Sequence, residues 1–252
     1  MAKKILLTGC AGFIGSNFVS RIVTRETDYE FLILDALTYA GRFETIESFA
    51  DDKRVKFVKE DIRNQEAINK VFAEYQPEGV IHFAAESHVD RSITNPNIFV
   101  ETNVLGTLNL LNASLKIFEN NSDFRFVHVS TDEVYGSLKE TDPAFSETTP
   151  LCPNSPYSAS KAGSDMLVMA YNETFKLPTM VTRCSNNYGP FQFPEKLIPL
   201  MIDNAKKDKS LPVYGTGENI RDWIYVDDHN EGIWSVFMKG QSGEAYNLGG
   251  AS

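Results

Sequence analysis

Short apolar runs that alternate with amphipathic stretches limit the folds open to this chain more than any other feature. Six runs are too continuous for half-exposed strands, and they cover residues 4–8, 31–35, 55–58, 79–83, 124–130 and 179–183. The stretches with helical spacing and length cover residues 14–25, 65–75, 97–118 and 157–175. Strands buried on both faces and separated by helices are typical of a doubly wound parallel sheet. We therefore predict an α/β fold.

The pattern changes after residue 183, where prolines become frequent. The elements predicted there are a helix over 197–206, strands over 211–214 and 220–225, a helix over 227–238 and a strand over 245–248. We predict a main domain over residues 1–183 and a smaller lobe over 184–252, with some segments interleaved with the main sheet. The chain stops beside Gly249 and Gly250 as though another element should follow. We therefore expect the lobe to be incomplete.

The overall charge narrows the class of partner. Lysine and arginine are scattered singly in a chain with a formal net charge of −10, which argues against a nucleic-acid surface. An anionic small molecule remains possible, because a few local cations and helix N-termini suffice to bind a diphosphate.

The cysteines and the hydropathy indicate the compartment. Cys10, Cys152 and Cys184 lie far apart and lack metal-ligand spacing, so neither a disulfide framework nor a metal site is expected. The first strand begins too early to leave room for a signal peptide, and no apolar run approaches membrane-spanning length. We expect a cytoplasmic protein with no membrane partner.

A glycine-rich turn follows the first predicted strand. Residues 9–15 read GCAGFIG, so Gly9, Gly12 and Gly15 lie at the turn, with Phe13 and Ile14 opening the helix. Such a turn brings backbone N–H groups and a helix N-terminus close to a diphosphate. Three glycines are by themselves a weak signal, since any tight strand-to-helix turn can contain them.

A carboxylate at the second strand strengthens that interpretation. Asp35 ends this strand 20 residues after Gly15, where an acidic side chain accepts the ribose hydroxyls of a dinucleotide. A 2′-phosphate would be repelled there, and no arginine replaces or immediately follows Asp35. The sequence therefore predicts a Rossmann-type domain that binds NAD rather than NADP.

Tyr157 and Lys161 are the predicted catalytic base and its partner. They form Y-x-x-x-K at the start of a predicted helix and share one helix face. Tyr135 and Lys139 match the same pattern but lie in a glycine-containing loop, which offers no dependable helical face. We expect Lys161, together with a positive nicotinamide, to lower the pKa of Tyr157 so that it can take a hydroxyl proton.

Three polar residues follow the strand at 124–130. Thr131, Asp132 and Glu133 lie at the carboxyl end of that strand, where open α/β sheets place their sites. By composition alone, a solvated loop is an equal alternative.

Taken together, these residues resemble the dTDP-glucose 4,6-dehydratases of the extended short-chain dehydrogenase/reductase family, over essentially the whole chain. The motifs that carry the resemblance are residues 9–15, FAAESHVDRS at 83–92, Thr131-Asp132-Glu133, the Tyr157/Lys161 pair and RCSNNYGP at 183–190. The Thr-Asp-Glu triplet is the most specific, because related epimerases and decarboxylases usually lack its acid pair. Cys10 departs from the family, which commonly has glycine at that position.

The resemblance implies a site and a reaction. Further cofactor contacts are implied at Asp61, Ile62, Phe83, Ala84, Ala85, Ser87, Thr102 and Asn187. Substrate contacts are implied at Ser87, Thr131, Asn186, Lys196, Leu197, Tyr214 and Arg221. The implied reaction oxidises C4 of a nucleotide-bound glucose, eliminates water across C5 and C6, and reduces C6. A homodimer formed through the helices at 97–118 and 157–175 is implied as well.

Other functions remain open from the sequence. Within the class, the chain could be a UDP-glucose 4,6-dehydratase or another nucleotide-sugar epimerase or decarboxylase. From a different class, it could be a non-catalytic dinucleotide-binding module. His82, His88, His128 and His229 are assigned no chemistry, and we expect His82 and His128 to be packed and hydrogen-bonded in strands.

Overall fold

The computed structural model describes residues 2–139, 141–213 and 215–250. Its strands are β1 Lys3–Thr8, β2 Tyr29–Asp35, β3 Val55–Lys59, β4 Gly79–His82, β5 Arg125–Thr131, β6 Thr179–Cys184, β7 Asn186–Tyr188, β8 Trp223–Tyr225 and β9 Ala245–Leu248. Seven form one sheet in the order β3-β2-β1-β4-β5-β6-β9, and every pair in it is parallel. The predicted α/β fold with a parallel Rossmann-type sheet is confirmed.

The helices connect these strands. They are α1 Phe13–Phe18, α2 Gln65–Tyr75, α3 Val89–Thr94, α4 Pro96–Phe99, α5 Thr107–Phe118, α6 Pro156–Phe175, α7 Leu197–Lys206 and α8 Val226–Lys239. A π-helical segment, Val19–Val23, continues α1, and another, Val100–Gly106, joins α4 to α5. The two long helices predicted at 14–25 and 97–118 are therefore present but change their hydrogen-bond pattern part-way.

The start of α6 is fixed by its own sequence. The Ser155 hydroxyl accepts a hydrogen bond from the Ser158 backbone N–H at 3.0 Å, and the Ser158 hydroxyl accepts one from the Ser155 N–H at 3.0 Å. Pro156 occupies the first turn, where its missing N–H has no helical partner to lose. This reciprocal cap sets where Tyr157 lies in the first turn.

Alternating side chains place a hydrophobic core on each face of the sheet. Ile5 and Leu7 of β1 pack on one face with Phe237 of α8, whereas Leu6 packs on the other with Phe72 of α2. Both faces are covered by helices, which explains why the strand sequences are continuously apolar.

The segment after residue 183 differs from its prediction in two ways. Residues 211–213 form no strand, and Val213 is 70% exposed; Tyr214, the end of that predicted strand, lies outside the described residues. The strand predicted over 220–225 is shortened to β8, which pairs in parallel with the unpredicted β7. Apolar residues favour a strand only where a neighbour supplies backbone partners, and β7 supplies three residues.

Not all of the later chain stands apart from the main sheet. Strand β9 pairs with β6, and α8 packs Trp234 and Phe237 into the core beneath β1. These segments of the later chain are interleaved with the main sheet, whereas the β7–β8 pair lies outside it, and we refer to α7 with this pair as the smaller lobe. Among the described residues, no helix is both long and apolar enough to cross a membrane.

Candidate active site

A cavity of about 320 Å³ opens along the carboxyl ends of the parallel strands. Strands β2 and β3 lie on one side of β1, whereas β4, β5 and β6 lie on the other. The order in which strands are added to the sheet therefore reverses between β1 and β4. Open α/β sheets bind ligands in the crevice at such a switch point. The structure brings the residues predicted for the cofactor to this one cavity: Gly9, Gly12, Phe13, Ile14, Gly15, Asp35, Asp61, Ile62, Phe83, Ala84, Ala85, Ser87, Thr102, Tyr157, Lys161 and Asn187.

The glycine turn is too tight for side chains at two of its positions. Gly9 has φ +75°, and a Cβ there would lie 2.5 Å from the Ala84 Cα. A Cβ on Gly15 would lie 2.6 Å from the Cys10 Cα. The turn therefore places the first N–H groups of α1, which lack partners within their helix, at the cavity wall. This geometry fits a diphosphate.

Asp35 is held in place by two backbone donors. Its Oδ2 accepts from the Ala11 N–H at 2.9 Å, and its Oδ1 accepts from the Leu37 N–H at 2.8 Å. Burial raises the pKa of this carboxyl, and the two N–H groups oppose the rise. Because a carboxylate oxygen has more than one lone pair, both oxygens can still accept ribose hydroxyls. The residues present therefore fit a dinucleotide without a 2′-phosphate.

Tyr157 and Lys161 lie on the inner face of α6, both almost fully buried. The Lys161 ammonium donates to the Val129 carbonyl at 2.9 Å, and its Nζ lies 3.2 Å from the His128 Nε2. Burial lowers the pKa of Lys161 to about 8, with Asp165 and Cys184 acting in the opposite direction.

In the protein without a cofactor, the pKa of Tyr157 is raised. Burial raises this pKa well above 10, and the charges of Glu133, Cys184 and Asp132 raise it further, whereas a hydrogen bond with Thr131 works the other way. Without the positive nicotinamide that the prediction included, burial therefore favours the protonated phenol.

Thr131, Asp132 and Glu133 form the end of β5 and the start of a short 3₁₀ turn. The Thr131 hydroxyl caps this turn by accepting from the Glu133 N–H at 3.3 Å. Burial, followed by the Glu133 charge, raises the pKa of Asp132 to about 6. Burial also raises the pKa of Glu133, which lines the cavity. A carboxyl that is partly protonated near neutral pH thus lies beside a potential base.

Comparisons with known proteins show which family this chain belongs to. Residues 6–251 match the family model described as GDP-mannose 4,6 dehydratase. The dTDP-glucose 4,6-dehydratase of Shigella flexneri is 51% identical over an alignment of 260 positions, gaps included. This alignment covers 98% of this chain and 72% of that protein. The chain belongs to the dTDP-glucose 4,6-dehydratase family.

Solved structures of family members have the same fold. The enzyme from Bacillus anthracis, in complex with NAD, is 49% identical and has a TM-score of 0.89, covering 100% of this chain and 76% of that one. The enzyme from Streptomyces venezuelae, with NAD and TYD bound, is 46% identical and has a TM-score of 0.92, covering 99% and 76%.

The residues predicted to bind substrate in this dehydratase-family chain are only partly brought together. Ser87, Thr131, Asn186 and Lys196 line the cavity, and the Lys196 ammonium donates to the Ser87 carbonyl at 3.1 Å. Leu197 and Arg221 are not brought to the wall. Leu197 begins α7 and is exposed, and the Arg221 guanidinium donates to the Ile220 carbonyl at 2.7 Å. Tyr214 lies outside the described residues.

Several wall residues of this family member were missed by sequence reasoning. Cys184 ends β6 directly opposite Thr131 in the sheet register, so the carboxyl end of the predicted strand was an available signal. Arg63 pairs with Asp61, with 2.6 Å between Nη2 and Oδ2. Because Arg63 follows the predicted cofactor residue Asp61 by two positions, the sequence could have indicated this pair. Tyr39 and Phe193, whose ring centroids are 5.6 Å apart, come from two distant loops without a periodic signal.

Proposed function

We propose that this chain catalyses the NAD-dependent dehydration of dTDP-glucose to dTDP-4-keto-6-deoxyglucose. The observation that carries the proposal is the acid pair Asp132 and Glu133 beside Tyr157, at one end of a cavity that fits a dinucleotide. An oxidation alone needs one base, whereas an elimination needs a further base and an acid.

The proposed cofactor contacts follow from the cavity wall. The glycine turn with Phe13 and Ile14 would hold the diphosphate, Asp35 the adenosine ribose, and Asp61 with Ile62 the adenine. Bound NAD supplies the hydride acceptor for sugar carbon C4 and, once reduced, the hydride donor for C6.

In the proposed oxidation, Tyr157 takes the proton of the C4 hydroxyl while Thr131 hydrogen-bonds to that oxygen. The Lys161 ammonium lies one helical turn away and favours the phenolate that this transfer requires. Because burial keeps Tyr157 protonated in the protein without a cofactor, its base form requires the positive charges of Lys161 and of bound NAD.

In the proposed elimination, the C4 ketone makes the proton on C5 acidic, and Glu133 removes it. The electron pair of that C–H bond forms the C5–C6 double bond, while the bond from C6 to its hydroxyl breaks. Asp132 donates a proton to the departing hydroxyl, which leaves as water. The pKa of Asp132, about 6, leaves part of this carboxyl protonated near neutral pH.

The division of labour along the chain is a further part of the proposal. Residues 1–183 would bind the cofactor and carry the catalytic residues, and residues 184–252 would contribute substrate contacts, among them Asn186, Lys196, Leu197, Tyr214 and Arg221. The charges of Lys196 and Arg221 oppose the rise that burial causes in the Glu133 pKa. Its guanidinium fork suits a diphosphate.

We also propose a homodimer that forms through α6 and the helical stretch from α4 to α5. Val100, Leu105 and Met166 are apolar side chains on these helices, and they are between 49% and 60% exposed. Exposed apolar side chains on adjacent helices favour a helical interface. Light scattering after size exclusion tests it, since Met166→Glu should release monomers and the exposed lobe variant Ile202→Glu should not.

The compartment is proposed from the thiols. Cys10, Cys152 and Cys184 are all free, as suits a reducing cytoplasm. Cell fractionation followed by counting of free thiols tests this proposal. Recovery of the protein with oxidised cysteines from an extracytoplasmic fraction would contradict it.

Product formation from a panel of nucleotide sugars tests the function. With NAD bound, dTDP-glucose should give the 4-keto-6-deoxy product faster than UDP-glucose or GDP-mannose does. Faster dehydration of UDP-glucose would assign the enzyme to that substrate, epimerised or decarboxylated products would move it to those activities, and no turnover would indicate a binding module. Isothermal titration should show NAD binding more tightly than NADP; equal affinity would contradict the role of Asp35.

A further inference from the structure

A line of buried polar side chains continues from Lys161 away from the cavity. The Lys161 Nζ lies 3.2 Å from the His128 Nε2, and that nitrogen also lies 3.1 Å from the Ser164 Oγ and 3.5 Å from the Asp165 Oδ1. Asp165 follows Lys161 by four residues on α6, so both project from one helix face. Lys161 is 3% exposed, and neither His128 nor Asp165 is exposed at all.

The far end of this line is anchored to the sheet. The Arg183 Nε donates to the Asp165 Oδ2 at 2.9 Å, and its Nη1 donates to the Tyr135 hydroxyl at 2.8 Å. The Tyr135 hydroxyl in turn donates to the Asn247 Oδ1 of β9 at 2.8 Å. Asp165 is therefore fixed by strands on its far side. Its Oδ1 lies on the His128 side, but an imidazole nitrogen that accepts from Lys161 has no proton left to donate, so this carboxyl acts on Lys161 through its charge.

A buried ammonium requires compensation for its lost hydration. The titratable and charged groups around Lys161 are His82 on β4, His128 on β5, Tyr157 and Asp165 on α6, and Arg183 and Cys184 on β6. Burial lowers the pKa of both histidines, which are therefore neutral at pH 7, and burial raises that of the Cys184 thiol to about 12. Asp165, paired with Arg183, is the carboxylate of this set.

We propose that Asp165 is a positioning residue whose charge holds the Lys161 ammonium beside Tyr157, while His128 accepts a hydrogen bond from that ammonium. Burial raises the pKa of the Asp165 carboxyl, and the charges of Arg183 and Lys161 oppose that rise and favour the ionised form. The proposal rests on the proposed function only through the part that Lys161 plays in the C4 oxidation.

The first test follows the titration of Lys161 without turnover. In protein labelled with [ε-¹³C]lysine and purified with NAD bound, the Lys161 signal is assigned by its loss in Lys161→Arg. Asp165→Asn should lower the pKa of Lys161 by about one pH unit, as removal of a nearby opposite charge does. The matched control Asp203→Asn removes an exposed carboxylate on α7 and should leave it unchanged. An unchanged titration in a folded Asp165→Asn protein would overturn the proposal.

A second pair of variants leaves the Asp165–Arg183 ion pair intact. His128→Leu removes the accepting nitrogen, whereas His128→Gln can place an amide oxygen near the position of Nε2. The Leu variant should lower the Lys161 pKa and the Gln variant should restore it. Equal titrations in the two variants would show that His128 is not the acceptor that holds the Lys161 ammonium, and the proposal would fail even if Asp165→Asn did not fold.

The pH profile of the first hydride step tests whether Asp165 affects catalysis through Lys161. The step needs a charged Lys161, so it declines as the pH rises through the Lys161 pKa. In Asp165→Asn the alkaline limb should move to lower pH by the same shift seen in the titration, whereas a merely structural defect would lower the rate equally at every pH. If no variant or wild type oxidises dTDP-glucose, the proposed function fails, while the titration still decides the role of Asp165.

Discussion

The carboxyl end of β5 with the start of α6 differs sharply in burial from the smaller lobe around α7. Tyr157 and Lys161 are buried, with Lys161 only 3% exposed and its ammonium bonded to the Val129 carbonyl. Helix α7 has no buried residue, and its Ile202 is 51% exposed. The lobe therefore leaves apolar side chains at its surface, whereas the β5–α6 corner buries polar ones.

This difference shows where precision is required. Proton transfer depends on groups held within hydrogen-bond reach and on their pKa values, both of which burial and fixed partners control. Substrate contacts tolerate a more open surface, because a ligand itself supplies part of the packing when it binds. Substitutions in the two regions should therefore differ in size and in sign.

The largest effect is expected at Tyr157. Tyr157→Phe removes the base for the C4 hydroxyl, so reduction of the bound NAD in a single turnover should fall by roughly 10²- to 10⁴-fold. Near-ultraviolet absorbance of NADH reports this step directly. Tyr188→Phe, an exposed tyrosine of β7, is the matched control and should reduce the cofactor normally. Normal reduction by Tyr157→Phe would show that another group is the base.

The acid pair should separate the two steps of the reaction. Asp132→Asn and Glu133→Gln keep the side-chain size but remove the titrating carboxyl, so C4 oxidation should survive while elimination slows by roughly 10²- to 10⁴-fold. NADH should then accumulate on the enzyme while the 4-keto-6-deoxy product falls. Formation of product at the wild-type rate by both variants would remove the acid pair from the mechanism.

Substitutions in β5 and in α7 should also differ in their effect on the free energy of unfolding. Phe126 lies in β5 and is fully buried, so Phe126→Ala should lower the free energy of unfolding by about 3–5 kcal/mol through loss of packing and a residual cavity. Ile202→Ala in α7 should change it by less than about 0.5 kcal/mol. Urea unfolding measures both. Comparable losses would show that α7 is packed in solution.

A pH-dependent gain in stability is expected at Asp132. Its pKa in the folded protein is raised from 3.8 to about 6, so ionising it disfavours the folded state at every pH above that range. Asp132→Asn should therefore raise the free energy of unfolding by about 3 kcal/mol at pH 8 and leave it unchanged well below pH 4.

The exposed lobe supplies the control of opposite sign. A hydrogen bond from Lys207 lowers the pKa of Asp203, so ionised Asp203 favours the folded state above pH 4. Asp203→Asn should therefore reduce stability slightly at pH 8 and have no effect at low pH. A gain at pH 8 from Asp203→Asn, or a loss from Asp132→Asn, would contradict the contrast between buried and exposed carboxylates.

The main sheet could be predicted because its signals are local. Each apolar run from β1 to β6 is long enough to define a strand by itself, and the glycine turn and Asp35 keep a fixed spacing from strand ends. The parallel arrangement then brings those strand ends to one edge, which is why the predicted cofactor residues line one cavity. The Ser155 cap similarly places Tyr157 without help from the rest of the fold.

The remainder depended on contacts that no local pattern contains. Strand β7 exists because β8 pairs with it, and residues 211–213 form no strand although their composition favours one. The direction of the Tyr157 pKa depends on burial and on the charges of Glu133, Cys184 and Asp132, whereas the spacing of Lys161 in the sequence suggested the opposite direction. The sequence alone determined strands β1 to β6 and the glycine turn, because short-range periodicity and spacing encode them. The tertiary structure alone decided the burial of Tyr157 and Lys161 and the charges that surround them, because burial and electrostatic interactions depend on residues far apart in the chain.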